Sequence, residues 1–211
     1  MSNLLYRIKK TFGIMYHYYV RPDVDKFGSF GKNSRFGRPA DIKCHKNIFI
    51  GNNCKIGPKS TIMAVGGSKC VIKDNFLSAE GLTIVCSNHI QQVGELRTGG
   101  NEDNKYKDVI IEEDVWAGIN VTLLLGAHIG RGCILGAGTV VHSKTPPYSI
   151  VVGNPAKVIG FHFTPDEIIE HEKILYSEID RIPKEELINN YELYYLNKIN
   201  EIKKYSSMIC H

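Results

Sequence analysis

No stretch of this sequence approaches the roughly 18 consecutive apolar residues that a membrane-crossing helix needs, and its six cysteines, at 44, 54, 70, 86, 133 and 210, include no CxxC pair. The first absence argues against a transmembrane helix. The second argues against a zinc site or a compact disulfide framework, so no metal and reduced thiols in a cytoplasmic protein are expected. Near the N-terminus Leu4, Leu5 and Ile8 are interrupted by Arg7, Lys9 and Lys10, with no small-residue cleavage site beyond them, which does not read as a signal peptide. Excess charge is scarce too. A formal +4 suits an anionic cofactor or acidic polymer and falls short of a nucleic-acid-binding surface. With 43% hydrophobic and 23% charged residues, the chain reads as one folded domain with an appendage rather than as a disordered segment.

What is present is a repeat. Residues 111–146 divide without gaps into six hexads: IEEDVW, AGINVT, LLLGAH, IGRGCI, LGAGTV and VHSKTP. The first position is aliphatic or small throughout (Ile111, Ala117, Leu123, Ile129, Leu135, Val141), and the fifth position of the first five hexads holds Val115, Val121, Ala127, Cys133 and Thr139. A helix repeats every 3.6 residues and a strand every two, so a period of six requires short strands joined by corners. Three faces closing a triangular coil place the first residue inward and a small fifth residue at the crowded corner. Second-position glycines such as Gly118, Gly130 and Gly136 relieve backbone crowding.

The register extends upstream from residues 30, 50 and 72, with inward positions 30, 36, 42; 50, 56, 62; 72, 78, 84; 111, 117, 123; and 129, 135, 141. That makes five coils. Every break, after 47, 67 and 89, follows a third face, so the insertions leave from one corner. Phe76 and Leu82 are bulky for fifth positions and Ser78 is polar for a first, which makes the third coil the least regular.

Beyond the coils, Thr164-Pro165-Asp166-Glu167 has the form of a helix start, predicting a helix over about 165–180. Pro183 opens a second helix whose Ile188, Tyr191, Tyr195, Ile199 and Ile202 form one apolar stripe. A repeat stack needs its last coil covered, so this tail is read as a structural cap. Membrane contact is the less favoured alternative for the tail and for the basic, aromatic N-terminal segment. The division expected is an N-terminal cap segment at 1–27, a β-helix at 28–161 with a protruding loop at 90–108, and a helical extension at 162–211.

The run VIIEEDVWAGINVTLLLGAHIGRGCILGAGTVV followed by PPYSIVVGNPAKVIG resembles the hexapeptide-repeat acyltransferases over roughly residues 28–161. The tail looks like those of sugar O-acetyltransferases from capsule and lipopolysaccharide gene clusters. The resemblance implies a mainly β fold, a left-handed parallel β-helix with a C-terminal helical tail, assembled as a homotrimer with acetyl-CoA and acceptor meeting between subunits. It implies acetyl transfer to a sugar hydroxyl of a surface polysaccharide or its precursor. An amino-sugar amine and an antibiotic hydroxyl are the alternative acceptors. In the family a histidine ends a coil just before an extended loop, and here that is His89, ahead of the 19-residue connection Ile90–Asp108 with Gly94, Glu95, Gly99 and Gly100.

Imidazole titrates near neutral pH and can take and return a proton, so His89 is read as the general base. His128 holds the same hexad position one coil on and is read as a stacked corner residue. The group orienting His89 stays open between Glu95, Glu80, Glu112 and a backbone carbonyl. Trp116 ends a hexad facing outward, where the resemblance places it against pantetheine or a sugar, with Asn88 as a further acceptor contact. Gly118 and Ile119 supply a backbone N–H for the oxyanion. By resemblance Gly136 and Ala137 leave room for pantetheine, and Lys144 and Lys157 meet coenzyme A phosphates. Ala117-Gly118 departs from the family's more usual Ile-Gly start. Two other classes share the coil. A zinc carbonic anhydrase needs a histidine cluster that His89 and His128 do not complete, and a non-catalytic scaffold would have lost the histidine, the tryptophan and the GNPAK segment, all of which are present.

Overall fold

A computed structural model describes residues 2–16, 23–90, 92–96 and 104–209. Its body is a left-handed parallel β-helix of three sheets. The first face stacks Ser29–Phe30, Ile48–Ile50, Cys70–Ile72, Val109–Ile111 and His128–Ile129, all parallel. The second stacks Arg35–Phe36, Lys55–Ile56, Leu77–Ser78, Trp116–Ala117, Ile134–Leu135 and Ser149–Val152. The third stacks Ala40–Lys43, Ser60–Met63, Thr83–Val85, Thr122–Leu124 and Val140–Val141.

The hexad register holds through all five coils. From Ile42 to Val141 the inward residues are buried, Ser78 among them at 5% exposure. Ser78 pairs with Ala117 in the parallel ladder, and its hydroxyl accepts a hydrogen bond from the Gly57 N–H at 3.0 Å, which removes the cost of a polar group inside. Phe76 and Leu82 are also buried, so the irregular third coil keeps the pattern with larger side chains.

The coils number about six, one more than the hexads indicate. Lys144 bridges to His128 and Ser149–Val152 stacks on Ile134–Leu135, which begins a sixth turn. Lys157–Phe161 then runs back antiparallel to Ser149–Val152 and ends the second sheet. Pro146 and Pro147 interrupt the hexad spelling there because proline lacks the N–H that continues a ladder.

Both ends of the stack are covered. At the N-terminal end Phe27 lies edge-on to Phe30 at 5.8 Å and to Phe36 at 6.2 Å. Among the described residues of 1–27 it is the only buried side chain, and helix α1 (Ser2–Met15) adds none.

At the other end α2 (Pro165–Leu175) starts at a capping box, Thr164 accepting from the Glu167 N–H while the Glu167 carboxylate accepts from the Thr164 N–H. It ends earlier than the 165–180 expected. The second predicted helix is broken as well: α3 spans Lys184–Tyr194, a single 3-10 turn covers Leu196–Lys198, and α4 spans Ile199–Ile209. Tyr195, at φ −122° and ψ −65°, lies outside helical geometry and divides the apolar stripe. Ile168 and Leu187 pack with Tyr148 over the last turn, flanked by Phe161 and Phe163.

A buried polar lock fastens this cap. Glu172, 2% exposed, accepts two hydrogen bonds from Arg131 at 3.0 and 3.2 Å and one from the Tyr148 hydroxyl at 2.5 Å. Arg131 also binds Glu113 at 3.1 Å and lies over the Tyr176 ring at 3.9 Å. Removing one partner strands the others' charge, so Glu172→Ala is expected to cost about 3 kcal/mol. Lys59→Ala, which breaks an exposed pair with Glu80, should cost under about 0.5 kcal/mol. Chemical unfolding of both variants measures the difference, and equal losses would remove the lock.

Candidate active site

The three groups of sequence-predicted site residues occupy three different places on the prism. Asn88 and His89 leave the third face of the third coil on a strand, Ser87–His89, that pairs antiparallel with Asn104–Tyr106. The connection expected to be irregular is thus a two-stranded arm at its root, with His89 opposite Asn104 and both Asn88 and His89 exposed. The root is fixed to the coils. Lys107 donates to the Cys86 carbonyl at 3.1 Å, and the Asp108 carboxylate accepts from the Lys69 N–H at 2.7 Å. The Tyr106 ring lies against Gly66, whose φ of +65° and lack of a side chain make room for it. Gly99 and Gly100 lie outside the described residues.

Trp116 begins the second face and is 51% exposed, with Leu77 exposed beneath it one coil down. Gly118, Ile119, Gly136 and Ala137 form two stacked columns just past the same face, where Ile119 and Ala137 are exposed. Two amides there are already engaged. Gly118 N–H donates to the Leu135 carbonyl and Gly136 N–H to that of Val151, both at 2.8 Å, so neither points at a ligand. Their lack of side chain serves the stack: a Cβ on Gly118 would meet the Ala137 nitrogen at 2.9 Å, and one on Gly136 would meet the Val152 side chain at 2.8 Å. The outer surface of these columns is therefore set by Ile119 and Ala137.

Lys144 and Lys157 line one pocket of about 320 Å³ beside the last strand of the third face. Its apolar floor includes Val141, Val151 and Ala156, and its far wall comes from the tail: Tyr194, Lys198 and Tyr205. Lys157 sits over the Tyr205 ring at 5.1 Å and Lys198 over Tyr194 at 5.5 Å. Three lysines, the Glu201 carboxylate and two tyrosine rings line this recess, a net positive wall that suits an anionic group. Sequence reasoning missed the tail residues because it read their helices only as a cap, although Tyr194 and Lys198 stand at helical i, i+4 spacing.

The carboxylates proposed to orient His89 sort themselves. Glu112 accepts from His128 Nε2 at 2.7 Å and pairs with Lys73 at 2.5 Å, and Glu80 pairs with Lys59 at 3.2 Å. Glu95 is the one of the three that lies on the arm with His89. His128 is held on the first face by its carboxylate, as a stacked coil residue. Cys54, Cys70, Cys86 and Cys133 are buried, and all five cysteines that are described are free thiols. Among the described residues no group of three His, Cys, Asp or Glu side chains is placed to hold a metal ion.

The fold defines the class: a left-handed parallel β-helix spelled in hexads is the hexapeptide-repeat architecture. A family model, bacterial transferase hexapeptide (six repeats), matches residues 108–143. A probable macrolide acetyltransferase of Lysinibacillus sphaericus is 34% identical over 150 residues, covering 71% of this chain and 81% of that protein. Against other curated relatives, putative acetyltransferases of Staphylococcus aureus and Saccharomyces cerevisiae, the match covers about half of this chain and about half of theirs.

Two solved structures share the fold at the level of the coils. A hexapeptide-repeat acetyltransferase of Vibrio cholerae, complexed with acetyl coenzyme A, is 27% identical with a TM-score of 0.59, covering 65% of this chain and 72% of its own. A maltose O-acetyltransferase of Clostridium difficile is 28% identical with a TM-score of 0.58, covering 64% and 69%. The chain belongs to the hexapeptide-repeat acetyltransferases.

Because Trp116 is the only tryptophan in the sequence, intrinsic fluorescence reports on its face alone. Titrating coenzyme A should shift or quench this emission in a saturable way, and an unchanged spectrum at saturation would place the ligand elsewhere.

Proposed function

We propose that this acetyltransferase moves the acetyl group of acetyl-CoA to a sugar hydroxyl of a surface polysaccharide or its precursor, with His89 as general base. The observation that carries the reading is the separation of the site residues. The arm bearing His89 leaves from the corner between third and first faces, whereas Trp116 begins the second face and Ile119 and Ala137 lie past its end. One prism cannot bring them together. A homotrimer sets the His89 arm of one subunit against the second face of the next, which makes the groove between subunits the catalytic site. The free thiols suit a reducing, cytoplasmic setting.

Acetyl-CoA supplies an activated thioester. Lys144, Lys157 and Lys198 bind its phosphates, and the column of Ile119 and Ala137 lets the pantetheine arm run along the coil. The His89 imidazole takes the acceptor's proton as the hydroxyl oxygen bonds to the acetyl carbon. It returns that proton to the thiolate as the carbon–sulfur bond breaks. Asn88 and Trp116 position the acceptor, and Glu95 or a backbone carbonyl orients the imidazole.

The maltose O-acetyltransferase supports a sugar acceptor. The probable macrolide acetyltransferase supports a second reading, in which the hydroxyl belongs to an antibiotic. Thiol release from acetyl-CoA, measured with panels of glycans, amino sugars and macrolides, separates the two. His89→Ala should lower acceptor-dependent release at least about a hundredfold while coenzyme A still binds. If His89→Ala is unaffected and His128→Ala inactive, the base is misassigned.

The pocket makes a separate expectation. Lys198→Ala should raise the KM for acetyl-CoA about tenfold and leave kcat within about twofold, since it removes binding common to ground and transition states. An unchanged KM would make the tail a cap only.

A further inference from the structure

Among the described residues, helix α1 buries no side chain against the body. Every described side chain from Asn3 to Tyr16 is exposed, with Leu4 and Phe12 each at 67%. At about 100° per residue, Leu4, Leu5, Ile8, Phe12 and Met15 fall within one arc of about 100°. Lys9 borders that arc on one side and Thr11 and Arg7 on the other, while Lys10 stands opposite with its ammonium 5.9 Å from the Tyr6 ring.

Charge is distributed unevenly along the chain. Residues 1–22 contain Arg7, Lys9, Lys10 and Arg21 and no acidic residue. Of 26 Lys and Arg and 22 Asp and Glu in the whole sequence, the remainder therefore balances at 22 against 22. The entire formal charge of +4 resides in the segment that carries the exposed apolar stripe.

We infer that α1 docks in the plane of an anionic lipid surface, its apolar arc in the headgroup–acyl boundary and its cations on lipid phosphates. A helix of 14 residues is about 21 Å long, too short to cross a bilayer, and its basic flanks and aromatic residues suit an interfacial position. Anionic headgroups attract such cations at short range, and the rest of the chain carries no net formal charge. A second copy of α1 is the poorer occupant, because identical segments bring only cations to each other. The sequence ranked membrane contact behind a structural cap. Exposure of every described side chain of the helix, with Phe27 the one buried side chain among the described residues of 1–27, favours the reverse order for this segment.

Co-sedimentation of the full chain with vesicles tests the inference independently of the catalytic reading. Wild type should sediment with phosphatidylcholine vesicles containing phosphatidylglycerol, at least about tenfold more strongly than with phosphatidylcholine alone, and high salt should release it. Two variants, Arg7→Glu/Lys9→Glu/Lys10→Glu and Leu5→Ser/Phe12→Ser, should each lose at least about tenfold in binding while keeping the wild-type thermal midpoint and gel-filtration size. The inference is overturned if wild type fails to bind, binds both vesicles equally, or binds no better than the variants. A change of oligomeric size in either variant would assign the apolar face to a second copy instead.

Discussion

Everything in this molecule answers to the spacing between one coil and the next. Parallel strands stack about 4.8 Å apart, and each face of the prism must repeat that step. A side chain facing the neighbouring coil at a corner has nowhere to go: a Cβ on Gly31 would lie 2.2 Å from the Gly51 carbonyl oxygen. The same step fixes the turn between first and second faces. There Asn33, Asn53, Asn75, Asp114 and Gly132 all adopt positive φ, one above another, and the amides of Asn33 and Asn53 each donate to the asparagine on the next coil at 3.3 Å. Asparagine, aspartate and glycine tolerate that conformation best. The asparagines also close a hydrogen-bonded ladder on the surface, so one residue type serves both the turn and the stack.

A stack of identical steps has no natural end, and the two termini meet this differently. Phe27 covers the first coil with a single aromatic ring, while the last turn is covered by a helical tail fastened through Arg131, Glu172 and Tyr148. Burial by itself would raise the pKa of Glu113. Hydrogen bonds from its own amide, Arg131 and Lys73 outweigh that, and its carboxyl is held below the ordinary range. The Tyr148 hydroxyl is pushed the other way, by burial and by the carboxylate it bonds, and stays a donor. The lock thus keeps fixed charges and a fixed donor direction at the junction. The same tail that is fastened there supplies Lys198 and Tyr205 to the end pocket, which couples cap stability to the pocket's shape.

The coils were legible because their constraint is local and repeats: an inward residue every six positions survives even where Ser78, Phe76 and Leu82 break the usual size rule. The sixth turn was not, since Pro146 and Pro147 alter the spelling while the backbone still stacks. Nor was the break at Tyr195, whose apolar stripe continues across residues 194–199 as if one helix ran through; packing on two different surfaces, Phe161 for Tyr191 and the end pocket for Ile202 and Tyr205, divides it. Of the proposed site, His89 and Trp116 were singled out through a motif. Lys198 and Tyr205 carry no motif, and nothing short of the folded tail places them beside Lys144 and Lys157.

The insertions of the third coil and the coil below it leave from the corner between third and first faces, and that regularity bears on how such a rigid body acquires function. Strands one step apart cannot diverge to open a cleft, so a reactive side chain must either leave the prism or wait for another prism to approach. His89, the proposed base, takes the first course, on an arm that leaves the third coil. Trp116, Ile119 and Ala137 do the second, staying on the coil surface where only an outside body reaches them. In the proposed homotrimer the two solutions complement each other. On the proposed reading, chemistry on this scaffold is a property of the assembly, and each protomer keeps its arm and its outward face in fixed angular relation.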